Sequence, residues 1–147
     1  MKKTIQSLLL TLPLLLLTSC TNDNTNIAWT INDQCDLNTE QCSNRLEDQQ
    51  VSISLSPNSP VLVAKKLEVE VKLKGITAKR VRLDISGINM YMGYNQVQLE
   101  KVADGIYRGK TMLAFCTESR MVWKVTALLK KDDNTTTEVP FTLITTQ

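Results

Sequence analysis

The chain has 147 residues, enough for one modest domain and not two. Apolar residues make 42% and charged residues 22%, an ordinary globular balance. Of the 17 basic residues, Lys2 and Lys3 lie in a start that reads as removable, and setting those two aside leaves 15 bases against 15 acids. A neutral mature chain argues against nucleic acid or an acidic membrane surface as an electrostatically steered partner. There is no His at all, which excludes Ser-His-Asp triads, His general bases and His-ligated zinc or copper.

The chain opens Met1-Lys2-Lys3, and an apolar run rich in Leu follows from Leu8 to Leu17, interrupted by Pro13. That run is about half the length of a bilayer-spanning helix and reads as a signal peptide over residues 1–19. The ending Leu17-Thr18-Ser19-Cys20 resembles the lipobox of bacterial lipoproteins. The resemblance implies cleavage before Cys20, diacylglycerol on its thiol and an acyl chain such as palmitate on its amine. Several acyl chains together hold a protein stably where one does not. Thr21 follows, not the Asp that this family associates with inner-membrane retention. The resemblance therefore implies an outer-membrane lipoprotein facing the periplasm, its membrane partner reached through the lipid anchor.

Residues 20–50 read as the lipidated cysteine, a polar tether and a loop bounded by Cys35 and Cys42. Trp29 and Ile31 alternate within the tether like a short strand that docks on the domain. From Val51 the texture changes to period-two alternation, which predicts a domain over residues 51–147. Val51, Ile53 and Leu55 alternate with serines before Pro57 and Pro60 break the run. Leu67, Val69, Val71 and Leu73 alternate with Glu68, Glu70, Lys72 and Lys74; that polar face reads as solvated. Val81, Leu83 and Ile85 follow, then Val97 and Leu99, then residues 106–113 after the Asp104-Gly105 turn. Trp123, Val125, Ala127 and Leu129 alternate before the turn at Lys131 to Asn134, and residues 139–145 close the chain. Seven strands with one apolar face each predict an all-β, antiparallel β-sandwich of immunoglobulin-like type, with a small barrel as the alternative.

In an oxidising compartment Cys35 and Cys42 are disulfide candidates. Cys116 makes three possible pairs among the mature thiols other than Cys20. Proximity favours Cys35–Cys42, an eight-residue loop worth about 2–3 kcal/mol by chain entropy. The pair is not Cys-x-x-Cys, so thioredoxin-like chemistry has little support.

Cys116 then stands with Met90, Met92 and Met121 near two strand junctions. Residues two apart in a strand share a side, so Met90 and Met92 present their thioethers together, as do Met121 and Trp123. Thioethers with a thiolate form the soft donor set that selects Cu(I), and an indole can face a cation. The competing reading is that Met, Cys and Trp here fill a core. The stretch Met90-Tyr91-Met92-Gly93, followed by Gly105-Ile106-Tyr107-Arg108-Gly109, resembles small periplasmic immunoglobulin-like domains associated with copper handling and cytochrome oxidase assembly. The resemblance spans residues 67–130 and departs from many such sites in having no His, which leaves Cu(I) and not Cu(II) as the ion it implies. Tyr91, Tyr94 and Tyr107 are candidates for a protein contact at one sheet edge. No nucleophile–base pair is readable. The sequence thus points to a non-enzymatic envelope lipoprotein that offers an interaction module to an envelope protein. Its alternative role is Cu(I) binding or delivery through Met90, Met92, Cys116 and Met121.

Overall fold

The computed structural model describes residues 25–146; the signal segment and the lipidation candidate Cys20 lie outside the described residues. Among the described residues there are ten strands and no helix. Seven of them fall where alternation places them. They are β4 (Gln49–Ser56), β5 (Lys66–Lys74), β6 (Arg80–Gly87), β7 (Asn95–Ala103), β8 (Ile106–Met112), β9 (Arg120–Lys130) and β10 (Thr136–Thr146). The alternation works as the pleat requires, since one face must leave water. Leu67, Val69 and Val71 are buried on β5, and Val81, Leu83 and Ile85 on β6, while the residues between them face outward or lie partly covered.

Three further strands precede these: β1 (Asn26–Ala28), β2 (Asn32–Asp36) and β3 (Cys42–Leu46). All lie within the stretch whose polar composition reads as a tether. Trp29, between β1 and β2, is buried and donates its backbone N–H to Glu138 O at 2.9 Å.

The strands join in the order β1-β10-β9-β6-β7-β8-β5-β4-β3, with β2 also beside β10. Most pairings are antiparallel, but β1 and β2 run parallel to β10, so the sheet is mixed where an all-antiparallel one was expected. The reason is topological. Parallel neighbours need a long crossover, and here the whole body of the domain lies between the first two strands and the last.

Strand β7 divides its partners. Asn95 to Leu99 pair with β6, whereas Glu100 to Ala103 pair with β8, with a register shift near Lys101. Gly109 of β8 sits where β7 departs, because an added Cβ would stand 2.5 Å from the Leu99 side chain. The sheet curls until β3, at the end of the order, meets β2 and β10. Across that seam Asn44 Nδ2 donates to Thr30 O at 2.7 Å, and Asn32 Nδ2 donates to Ser43 O at 2.9 Å. The Cys35–Cys42 disulfide, with Cα atoms 5.7 Å apart, links β2 to β3 at the same seam. The enclosed core is a single apolar cluster centred on Trp123, Phe141, Leu83, Ile53 and Leu143.

Candidate functional site

The sulfur-bearing residues singled out by softness gather at one end of the sheet. Strand β6 ends at Gly87, which stands opposite Trp123 of β9 in register. The chain then enters a loop, residues 88–94, pinned back onto β9 by three hydrogen bonds. Ile88 N–H donates to Val122 O at 2.8 Å, Val122 N–H donates to Asn89 Oδ1 at 2.9 Å, and Asn89 Nδ2 donates to Arg120 O at 3.0 Å. An Asn side chain carries both an acceptor and donors, so Asn89 grips residues 120 and 122 on either side of Met121. The loop turns back at Gly93, whose φ of +77° is open to glycine at no steric cost.

Gly87 is needed for a different reason. A Cβ at this position would overlap the Met90 carbonyl oxygen and would lie 3.2 Å from both Met121 Cε and Met92 Cγ. The missing side chain lets the loop fold over the strand end and leaves Met92 and Met121 packed against the same glycine. Met121 is buried at 1% exposure, and Met92 is half-buried against the core.

Met90 comes back toward the β8–β9 loop, residues 113–119. There the Cys116 thiol donates to Met90 Sδ, with the two sulfurs 3.4 Å apart, and Glu118 N–H donates to Cys116 Sγ, also at 3.4 Å. Cys116 is buried. Met90 is the most exposed member of the set, at 36%, and Met92 is partly covered. The four residues therefore fall into two pairs at this end of the sheet: Met90 in contact with Cys116, and Met92 with Met121, both beside Gly87. Trp123 beneath them is a buried residue whose Nε1–H donates to Thr145 Oγ1 at 3.0 Å. Its polar atom is satisfied within the fold.

Sequence reasoning missed Gly87 and Asn89. A glycine ending a strand and an asparagine in a loop are common, and neither announces a role in placing a neighbour. The only signal was position: Asn89 immediately precedes Met90, and Gly87 stands three residues before it.

Large apolar and aromatic side chains are exposed near this end, among polar ones. Ile88, Tyr91, Tyr94, Met112 and Phe115 are all exposed, and the rings of Tyr91 and Tyr94 meet edge to face at 6.5 Å. Tyr107 does not join them. It is buried on β8 and its hydroxyl donates to Ala78 O at 2.8 Å.

The polar face of β5 holds the main charge cluster. Glu70 accepts from Arg108 at 2.6 Å and pairs with Lys72 at 3.0 Å. The Lys72 hydrogen bond, then that of Arg108, holds the Glu70 carboxyl below the ordinary carboxylate range. Glu68, Glu100 and Lys110 flank it along a groove of about 840 Å³ that contains none of the four sulfur residues. Among the described residues no three His, Cys, Asp or Glu side chains converge as a metal cluster. Comparisons with protein families, with curated proteins and with solved structures found no match.

Proposed function

We propose that this chain is a lipid-anchored envelope protein, attached through Cys20 to the outer membrane on its periplasmic side, whose domain is a β-sandwich of immunoglobulin-like type that binds Cu(I). Met90, Cys116, Met92 and Met121 hold the ion, and the protein stores or passes it without catalysing a reaction. The observation that carries this reading is the 3.4 Å approach of the Cys116 and Met90 sulfurs beside the Met92–Gly87–Met121 packing. Residues about 25 positions apart in the chain, from two loops, bring together the donor types that a soft monovalent ion prefers. The thiolate is the form of Cys116 that binds metal, so uptake releases its proton.

A competition assay tests the reading. The full chain, purified in detergent and kept reduced, takes one Cu(I) from a chelator of known affinity and ignores Zn(II), for which thioethers are poor ligands. Replacing both Met90 and Met92 by Leu abolishes uptake and leaves the melting temperature nearly unchanged, because Met-to-Leu swaps usually cost under about 1.5 kcal/mol. Absence of Cu(I) transfer to the wild-type chain sinks the metal reading.

The second reading, a module that docks an envelope protein, is favoured by the exposed ring of Ile88, Tyr91, Tyr94 and Phe115 around the same end. Aromatic side chains of this kind are enriched at protein interfaces. The two readings are compatible if the ion is handed to a partner there.

A further inference from the structure

We infer that Met90 is the oxidation-sensitive member of the sulfur cluster: a two-electron oxygen donor such as hydrogen peroxide converts its thioether to the sulfoxide and closes the cluster to soft metal, and a bound soft ion protects it. This inference rests on the Cu(I) reading above and adds a mode of regulation to the same site.

The four residues differ in exposure, with Met90 the most exposed. Met90 is 36% exposed, whereas Met121 is at 1%, Cys116 at 4% and Met92 is packed against the core. Oxidant therefore reaches Met90 first among the ligands. The sulfur lone pair attacks one peroxide oxygen, the S–O bond forms as the O–O bond breaks, and the second oxygen leaves as water. Sulfur loses two electrons and peroxide gains them. One of the two sulfur lone pairs becomes the S–O bond, the other is left on an electron-poor sulfur, and the soft thioether becomes a polar, weaker sulfoxide donor beside Cys116 Sγ. Buried Met121 and half-buried Met92 remain thioethers, so the core stays intact. The lesion is reversible by methionine sulfoxide reductases, which makes it a switch.

Met112 supplies the reference. It lies on β8, is 56% exposed and has no place in the cluster as read above. The full chain in detergent is treated with limiting peroxide, with and without prior loading with Ag(I), a soft ion that does not itself cycle with peroxide. Peptide mapping then reads the oxygen added at each methionine, and only chains with an intact Cys116 thiol are scored. Met90 and Met112 are expected to oxidise ahead of Met92 and Met121. Ag(I) slows Met90 and leaves Met112 unchanged. Chains oxidised at Met90 lose about tenfold or more in Cu(I) affinity, and reductase treatment restores it. The Met112→Leu variant behaves in the same way. Met90 reacting no faster than Met121, Ag(I) protecting Met112 equally, or sulfoxide-bearing chains taking Cu(I) as well as untreated ones would each overturn the inference. Untreated chains that fail to take Cu(I) remove the metal reading itself, so the two failures are distinguishable.

Discussion

Asn89 shows how much of the sulfur cluster depends on a residue that carries no sulfur. Its amide bridges Arg120 O and Val122 N–H, and so fixes the distance between the Met90 loop and the strand that bears Met121. Asn89→Ala removes both bonds at an exposed position, where water can replace them, and each is worth about 0.5–1.5 kcal/mol net. The expected result is a fall of about 1–2 kcal/mol in unfolding free energy in urea together with a fall of about tenfold in Cu(I) affinity, the usual scale for losing a support behind a ligand. Unchanged affinity would show that the loop holds its place without the clamp. The soft residues themselves were legible in the sequence, because Met and Cys are scarce and their donor chemistry is distinctive. Their supports were not, since the reach of an Asn side chain onto a strand about 30 residues away leaves no trace in local periodicity.

At the scale of elements, alternation revealed the seven strands from β4 to β10, and the apolar residues facing the core on β4, β5, β6 and β9. Alternation at Trp29 and Ile31 pointed to a stretch that docks, and Trp29 does, but it did not give β1, β2 or β3 themselves, and the physical reason is visible in β2. Asn32, Asp33, Gln34 and Asp36 are polar, and the strand is held by specific bonds, not by an apolar face: Asp36 Oδ1 accepts from Ile144 N–H at 2.9 Å, and Leu37 N–H donates to Thr142 O at 3.1 Å. Nor did it reveal the parallel pairings or the split of β7, which depend on partners distant in the chain. The Cys35–Cys42 pairing that proximity favoured is the one present, though its place at the seam was not foreseen. Replacing both cysteines by Ala is expected to cost about 2–3 kcal/mol by loss of the chain-entropy constraint. Hydrogen exchange locates the damage: amides of β2 and β3 exchange faster while those of β6 and β9 keep their protection, and uniform loss across all strands would show that the staple holds the whole core and not the seam.

At the scale of the whole molecule, Glu70 is one of the carboxylates that shape the acid limb of the stability curve. Glu70 titrates below the ordinary carboxylate range because Lys72 and then Arg108 hold its ionised form. A lowered folded-state pKa gives stability that is present above the unfolded value and is lost as pH falls through the folded one. Glu70→Gln therefore flattens stability between the ordinary carboxylate range and lower pH and leaves the slope near neutrality unchanged; because the pairs face solvent, the difference stays within about 1 kcal/mol. A chemical-denaturation series across acid pH reads it, and identical acid limbs in the two proteins would dismiss the assignment. The direction of β10 has a larger consequence. Asn26 pairs with Thr136 at its start, whereas Met121 pairs with Thr145 at its far end, and the nine intervening steps span about 30 Å at strand rise. The five residues between Cys20 and Asn26 reach at most about 20 Å of contour. If Cys20 carries lipid, as proposed, the domain would be moored short and by its opposite pole, the thioethers would be held out like a lamp at the end of a bracket, and whatever meets them would arrive from the aqueous side and not along the bilayer.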